Sequence, residues 1–449
     1  MLMRRVSMVI AVTLVVIMLA ACGAPAAAPA PTTAPAPAAT TAPATGSATP
    51  SGALKFLSVQ AENEGYTKIV NLLTAEFTAA NPGVKYEFEQ APQTDLEQKL
   101  QLLASSNSLP LMFPSAATGT LIEMYRNGFV LDIEATFTEL GIVDKLNPVA
   151  LSLVRNLGNG TALGIPMELN IEGFWYNKKI FAEQGIAVPQ TWEELVAAAE
   201  KLHAAGIQPF AASGEQGWPL TRLIGLYAQR KYGPDALERV AAGELKLTDP
   251  GFIEAAQAVQ DLGLKGYFGP GVVTIDYATA VDLFVQGRAA MFYMGSWELR
   301  TFNDPTRNLI GAEQIGFFNF PTVPGGAGSL NDWPMNAGLT VSLGRAAYEA
   351  NKPLADAWLT YVFERYGDRS MSELGAITGF KVENMPANTP QLTQMVQSQI
   401  DAAQTPMLWF EARFDSAATV LSQRNAQLLI TGDMSAEEFM RALQAELDN

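Results

Sequence analysis

One cysteine, Cys22, and one histidine, His203, occur among the 449 residues. Their scarcity excludes a disulfide framework, a zinc site of Cys/His type, and any Ser-His or Cys-His mechanism that His203 does not serve alone. Charge is scarce too: Asp, Glu, Lys and Arg make up 16%, and 29 basic against 45 acidic side chains leave a net charge of -16. Such a surface is a poor partner for a nucleic-acid polyanion. No Gly-x4-Gly-Lys-Ser/Thr run is present, so an ATP-hydrolysing step belongs to another protein. What the chain has in quantity is apolar surface, 48% of residues, over a length that points to two or three domains.

The first residues read as an address. Arg4 and Arg5 precede an uncharged run, Val6 to Ala21, that is shorter than the roughly 18 to 20 residues needed to span a bilayer. Residues 1–21 are therefore expected to be a signal peptide. Its end, Leu19-Ala20-Ala21-Cys22, resembles the lipobox of bacterial lipoproteins. That resemblance implies cleavage before Cys22, lipidation of its sulfur and attachment to the outer face of a membrane. From Gly23 to Gly52 every residue is Ala, Pro, Thr, Ser or Gly, a composition with nothing large to pack, so 22–52 is expected to be a lipidated tether.

The body alternates strand and helix. A short apolar stretch, Leu54 to Val59, is followed by the polar loop 60–65 and then by Tyr66, Ile69, Val70, Leu73 and Phe77 at helical spacing, stopped by Asn81-Pro82-Gly83. Val84 to Phe88 and Leu109 to Phe113 read as further strands, with helices near Leu96 to Leu103 and Leu121 to Tyr125. This order predicts an α/β fold with a mostly parallel sheet, and ligands in such sheets sit at the carboxyl ends of strands. A second series predicts strands over Ile171 to Asn177 and Pro209 to Ala212. Helices are predicted after Thr191, near Pro219 to Lys231, Pro234 to Ala242 and Pro250 to Leu262. Thr191 with Glu194, and Ser435 with Glu438, have the spacing of capping boxes.

Three blocks carry a family resemblance. Leu163 to Pro166 with Phe174 to Phe181 and Gly185 to Leu195, then Phe284 to Met291 leading to Gly295-Ser296-Trp297, then Phe318 to Gly326, resemble in order the signatures of extracellular solute-binding proteins, family 1. The resemblance implies a two-lobed periplasmic-binding-protein fold, each lobe a mostly parallel sheet flanked by helices, with the ligand cleft at the hinge. It assigns 53–165 plus 328–376 to lobe one and 166–327 plus 377–449 to lobe two. It implies a monomeric, extracytoplasmic receptor that hands a carbohydrate to the permease of an ABC importer, with no cofactor, metal or catalytic residue. An exported carbohydrate hydrolase is the alternative, because glycosidases also set two carboxylates beside aromatic sugar platforms.

Sugars need aromatic plates for their C–H faces and planar polar groups for their hydroxyls. Among the seven tryptophans, Trp297 in the second block, Trp218 in a loop after a strand and Trp333 in a turn-rich run are the candidates; Trp192, Trp358 and Trp409 read as core. Glu62, Asn63 and Glu64 occupy the first strand-to-helix loop, where acidic residues also favour a helix start. Ser115 follows the third strand, as a ligand contact or a helix cap. Glu168 and Asn170 lie just past the first crossover, a carboxylate and an amide placed to face the cleft. Arg413 is either a donor to hydroxyls or part of a surface ion pair.

Overall fold

In the computed structural model, which describes residues 50–115 and 118–448, β1 (Gly52–Ser58) opens the first sheet. The signal peptide, Cys22 and most of the tether lie outside the described residues. β1 pairs in parallel with β2 (Val84–Gln90) and β3 (Met112–Pro114). The helix Gly65–Ala80 between β1 and β2 buries the stripe Tyr66, Ile69, Val70, Leu73 and Phe77 against them. Each such side chain taken from water contributes about 1.5–3 kcal/mol before chain entropy is subtracted. Asn81 ends the helix, its side-chain amide donating to the Phe77 carbonyl at 2.8 Å.

β4 (Ile165–Pro166) completes this sheet only through β10 (Thr340–Leu343), which runs antiparallel between β3 and β4. Four strands thus share one direction and β10 opposes them. The second sheet is built on β5 (Asn170–Asn177), a strand buried along almost its whole length. β7 (Ala289–Gly295), β8 (Ile315–Phe318) and β9 (Asp332–Asn336) all pair antiparallel with β5. β6 (Gln208–Ala211) lies parallel to β7, and β11 (Thr405–Met407) parallel to β9.

The expectation of a mostly parallel sheet in each lobe is therefore corrected for the second. Its cause is the hinge: β5 leaves the hinge at Asn170, and β9 must return to it at Asn336, so the two run side by side in opposite directions. The same pairing moves a boundary. A lobe-one segment starting at 328 takes in β9, whereas Asp332–Asn336 is bonded on both sides to strands of the second sheet.

Three chain crossings join the sheets and are bonded to one another. Met167 N–H donates to Leu339 O at 3.1 Å, Leu169 N–H to Ile377 O at 3.2 Å, and Gly379 N–H to Pro166 O at 3.0 Å. The buried Tyr366 hydroxyl adds a bond to Met167 O at 3.0 Å. Both capping boxes form: Thr191 and Ser435 each accept from the N–H three residues on, and Glu194 and Glu438 reach back. In the third sequence block, the fully buried Arg230 donates to Phe320 O at 2.7 Å and to Asp332 O at 3.1 Å, which fixes that loop on the helix Trp218–Tyr232.

Candidate functional site

β7 runs toward the hinge, so the residues after it, Ser296 and Trp297, emerge at the hinge end of the second sheet beside Asn170 and Glu172. Gly295 makes this possible. A Cβ there would lie 1.9 Å from Cζ3 of Trp297, so only glycine lets the indole fold back over the strand end. The indole N–H donates to the Tyr277 hydroxyl at 2.7 Å, and Tyr277 in turn donates to Glu298. Trp218, the first residue of its helix, has its ring 6.1 Å from both Trp297 and Tyr277, at 58° and 30°. Trp218 and Trp297 remain partly exposed, so these rings form an open aromatic platform.

One helical turn after Trp218, Arg222 lies on the same helix face. Its guanidinium carbon is 5.3 Å from the Trp218 ring and 5.7 Å from the Trp409 ring. Its Nε donates to Glu172 at 3.1 Å and its Nη1 to Glu411 at 3.3 Å. These side chains are 13%, 2% and 3% exposed, so the ion pairs are screened far less than surface ones. Glu172 also accepts from Asn336 at 3.1 Å and from the Tyr293 hydroxyl at 3.4 Å, and Glu411 from Ser422 at 3.2 Å and from Thr221. Burial first, and then the nearby carboxylates, push the Tyr277 and Tyr293 hydroxyls well above the ordinary phenol range.

Toward the hinge, Asn170 accepts from Ser296 at 3.2 Å and Asn336 from Asn170 at 3.5 Å. Glu168, half-buried, follows on the first crossing, and burial raises its carboxyl above the usual range against opposing hydrogen bonds from Leu339 and Gln60. Gly338 passes over it on the second crossing with φ +52, where a Cβ would sit 2.7 Å from the Glu168 carboxylate. A polar path thus runs from Gln60, after β1, and Glu168 along the hinge to Asn170, and from there by hydrogen bonds through Asn336 and Glu172 to Arg222 beside the rings.

Glu168, Asn170, Trp218 and Trp297 lie on that path. Glu62, Asn63 and Glu64 are exposed in the loop after β1, beside Gln60, with Glu62 O accepting from Asn71 at 2.9 Å. Ser115 is bonded to Ser342 at 2.8 Å and lines a cavity of about 60 Å³ with Gly164 and Thr340, inside the first lobe. Trp333 is corrected: it is 7% exposed and stacks on Phe317 at 5.7 Å, because β9 turns it into the sheet's packed face. Arg413 is corrected on the surface reading, since it is 13% exposed and holds the Asn156 carbonyl and Glu238. Trp409, read as core, is partly exposed under Arg222.

Glu172, Arg222, Tyr277, Glu298, Asn336 and Glu411 were not anticipated. Glu172 had a signal, as the one charged residue in the eight of β5. A charge in a doubly buried strand needs a partner.

The description of the bacterial extracellular solute-binding protein family matches residues 60–368. A protein of Pyrococcus horikoshii, described as an uncharacterized ABC transporter extracellular-binding protein, is 27% identical over 233 residues, 51% of this chain and 53% of that one. The multiple sugar-binding protein of Streptococcus mutans is 28% identical over 168 residues, 36% of this chain and 39% of that one. The match thus spans about half the length of the first of these relatives and less of the second. The solved structure of a chitin oligosaccharide binding protein superposes with a TM-score of 0.71 at 24% identity, covering 89% of this chain and 98% of that one. With its two sheets, its three bonded crossings and a family match over most of its length, the chain belongs to the bacterial extracellular solute-binding proteins.

Proposed function

We propose that this chain is a receptor that captures a carbohydrate between two lobes and delivers it to the permease of an ABC importer. The carrying observation is the grouping of Trp218, Tyr277, Trp297 and Trp409 beside Arg222, Glu172 and Asn336, at the hinge end of the second sheet. Partly exposed rings offer faces to pyranose C–H groups, and the planar polar side chains beside them suit hydroxyls. The first lobe comprises 50–166 and about 340–380 and the second the remainder of the described body, with Gln60 to Glu64 facing the cleft from the first. Family membership places the body outside the cytoplasm. Cys22 is the point of lipid attachment and 23–52 the tether.

A solute that touches both lobes binds the closed form better and shifts the population toward it. The test is calorimetric titration with a library of neutral oligosaccharides, with the sugar recovered afterwards. Saturable binding with intact sugar, and a smaller radius of gyration by X-ray scattering on loading, is the expected result. Catalytic release of reducing ends, or an unchanged radius at saturation, overturns the receptor reading.

A further inference from the structure

Glu172, Glu298 and Glu411 are buried, and all three lie against the aromatic platform. Arg222 is the cation that contacts two of them, its Nε donating to Glu172 and its Nη1 to Glu411. Its faces are taken as well, by Trp218 and Trp409. Glu298 has the neutral Tyr277 hydroxyl as its partner, and Glu168 at the hinge has Gln60 and a backbone N–H. The loop after β1 adds the exposed Glu62 and Glu64. Carboxyl groups therefore outnumber the one contacting guanidinium, and that guanidinium is already neutralised.

We propose that the cleft selects uncharged sugars and rejects their anionic counterparts, uronic acids and phosphate esters, because buried carboxylates outnumber the one guanidinium at its platform, and that guanidinium is ion-paired to two of them. This rests on the carbohydrate-receptor reading above. An anion docked on the Trp218 and Trp297 rings gives up hydration beside an arginine whose charge two carboxylates already offset, so a bond to that arginine repays less of the loss. It also meets like charges. At an effective dielectric near 20, one carboxylate about 8 Å away weakens binding of an anion roughly 30-fold, while a hydroxyl escapes that cost and can donate to the same carboxylate.

The test compares matched probes on the full chain by tryptophan fluorescence and calorimetry: glucose, galactose, galactobiose and cellobiose against glucuronate, galacturonate, digalacturonate and cellobiuronate, with sn-glycerol 3-phosphate added. The expected result is that a neutral probe binds and its acidic counterpart binds about 30-fold or more weakly. Glu411→Gln and, separately, Glu172→Gln should narrow that ratio severalfold, because each removes one negative charge that offsets Arg222 and repels an anion. A ratio of affinities within one variant is insensitive to a general loss of packing, and two variants guard against one that does not fold. An acidic probe that binds as tightly as its neutral counterpart, or a ratio unmoved in both variants, overturns the charge selectivity alone. Failure of every probe at 10 mM overturns the carbohydrate reading and this inference with it.

Discussion

Gly295→Ala adds a single methyl group at the point where the aromatic platform turns back on its strand. The backbone accepts alanine there, at φ -84 and ψ 165. The side chain is not accommodated: its Cβ would lie 1.9, 2.2 and 2.3 Å from three ring carbons of Trp297, where ordinary contact begins at 3.4 Å. The indole must retreat by about 1.5 Å or swing out, and the bond from its N–H to Tyr277 is lost, since Glu298 holds that hydroxyl in place. The lost bond costs about 1 kcal/mol and the disturbed ring packing about 0.5–1.5 kcal/mol. Removing glycine from an extended segment returns up to about 1 kcal/mol, so the net change in stability is about 1 kcal/mol. Binding should suffer more, by about 1–2 kcal/mol or roughly 5- to 30-fold in Kd, because the displaced ring leaves the position from which the proposed platform would meet a sugar face. Calorimetric titration with a sugar bound by the unaltered chain reads Kd, and thermal denaturation without sugar reads stability. Trp297→Ala closes a double-mutant cycle: with the indole gone, Gly295→Ala should cost no further affinity. If Gly295→Ala leaves Kd unchanged, or weakens binding equally in the Trp297→Ala background, the reasoning is refuted.

Arg222→Met leaves Glu172 and Glu411 buried without their cation and should lower stability by about 3–5 kcal/mol, read as a large drop in Tm that Arg300→Met at an exposed position does not reproduce. Glu168→Gln tests the hinge carboxyl. In the unfolded chain Glu168 ionises at its ordinary value of 4.5 and in the folded chain at a higher pH, so folding stability falls as pH rises from 4.5 through the raised value. The neutral variant lacks that loss, so its Tm advantage should be absent below pH 4.5 and grow above it; a difference independent of pH would count against the assignment. Cys22→Ser should release the protein from the membrane fraction, and a variant still cut after Ala21 and retained through a salt wash would refute lipid attachment there.

The local features were legible because their causes are local. The stripe from Tyr66 to Phe77 and the two capping boxes depend on residues three to eleven apart, and each forms where the spacing predicts it. Strand direction was not legible. Alternation and apolar runs mark Ile171 to Asn177 as a strand whichever way its neighbours run, and the antiparallel partners of β5 arise from 115 to 166 residues away through the geometry of the hinge. The site divided on the same line. Trp297 and Trp218 were found by residue type and loop position, but Arg222 meets Glu172 across 50 residues and Glu411 across 189, and each alone reads as an ordinary strand or helix charge. Trp333 misled because its polar, turn-rich surroundings in sequence become a sheet strand once β9 pairs with β5 and β11.

The position of β10 between β3 and β4 has a consequence for the order in which the molecule can be made. A ribosome releases β1 to β4 within the first 166 residues, yet nothing joins β4 to its sheet until Thr340–Leu343 has also emerged. The first lobe therefore stays unfinished until most of the chain has been synthesised, and the second waits longer still, for β11. Contacts so far apart in sequence form slowly, because a long loop must close before any of them is rewarded. That delay keeps the chain pliable for most of the time it is being made.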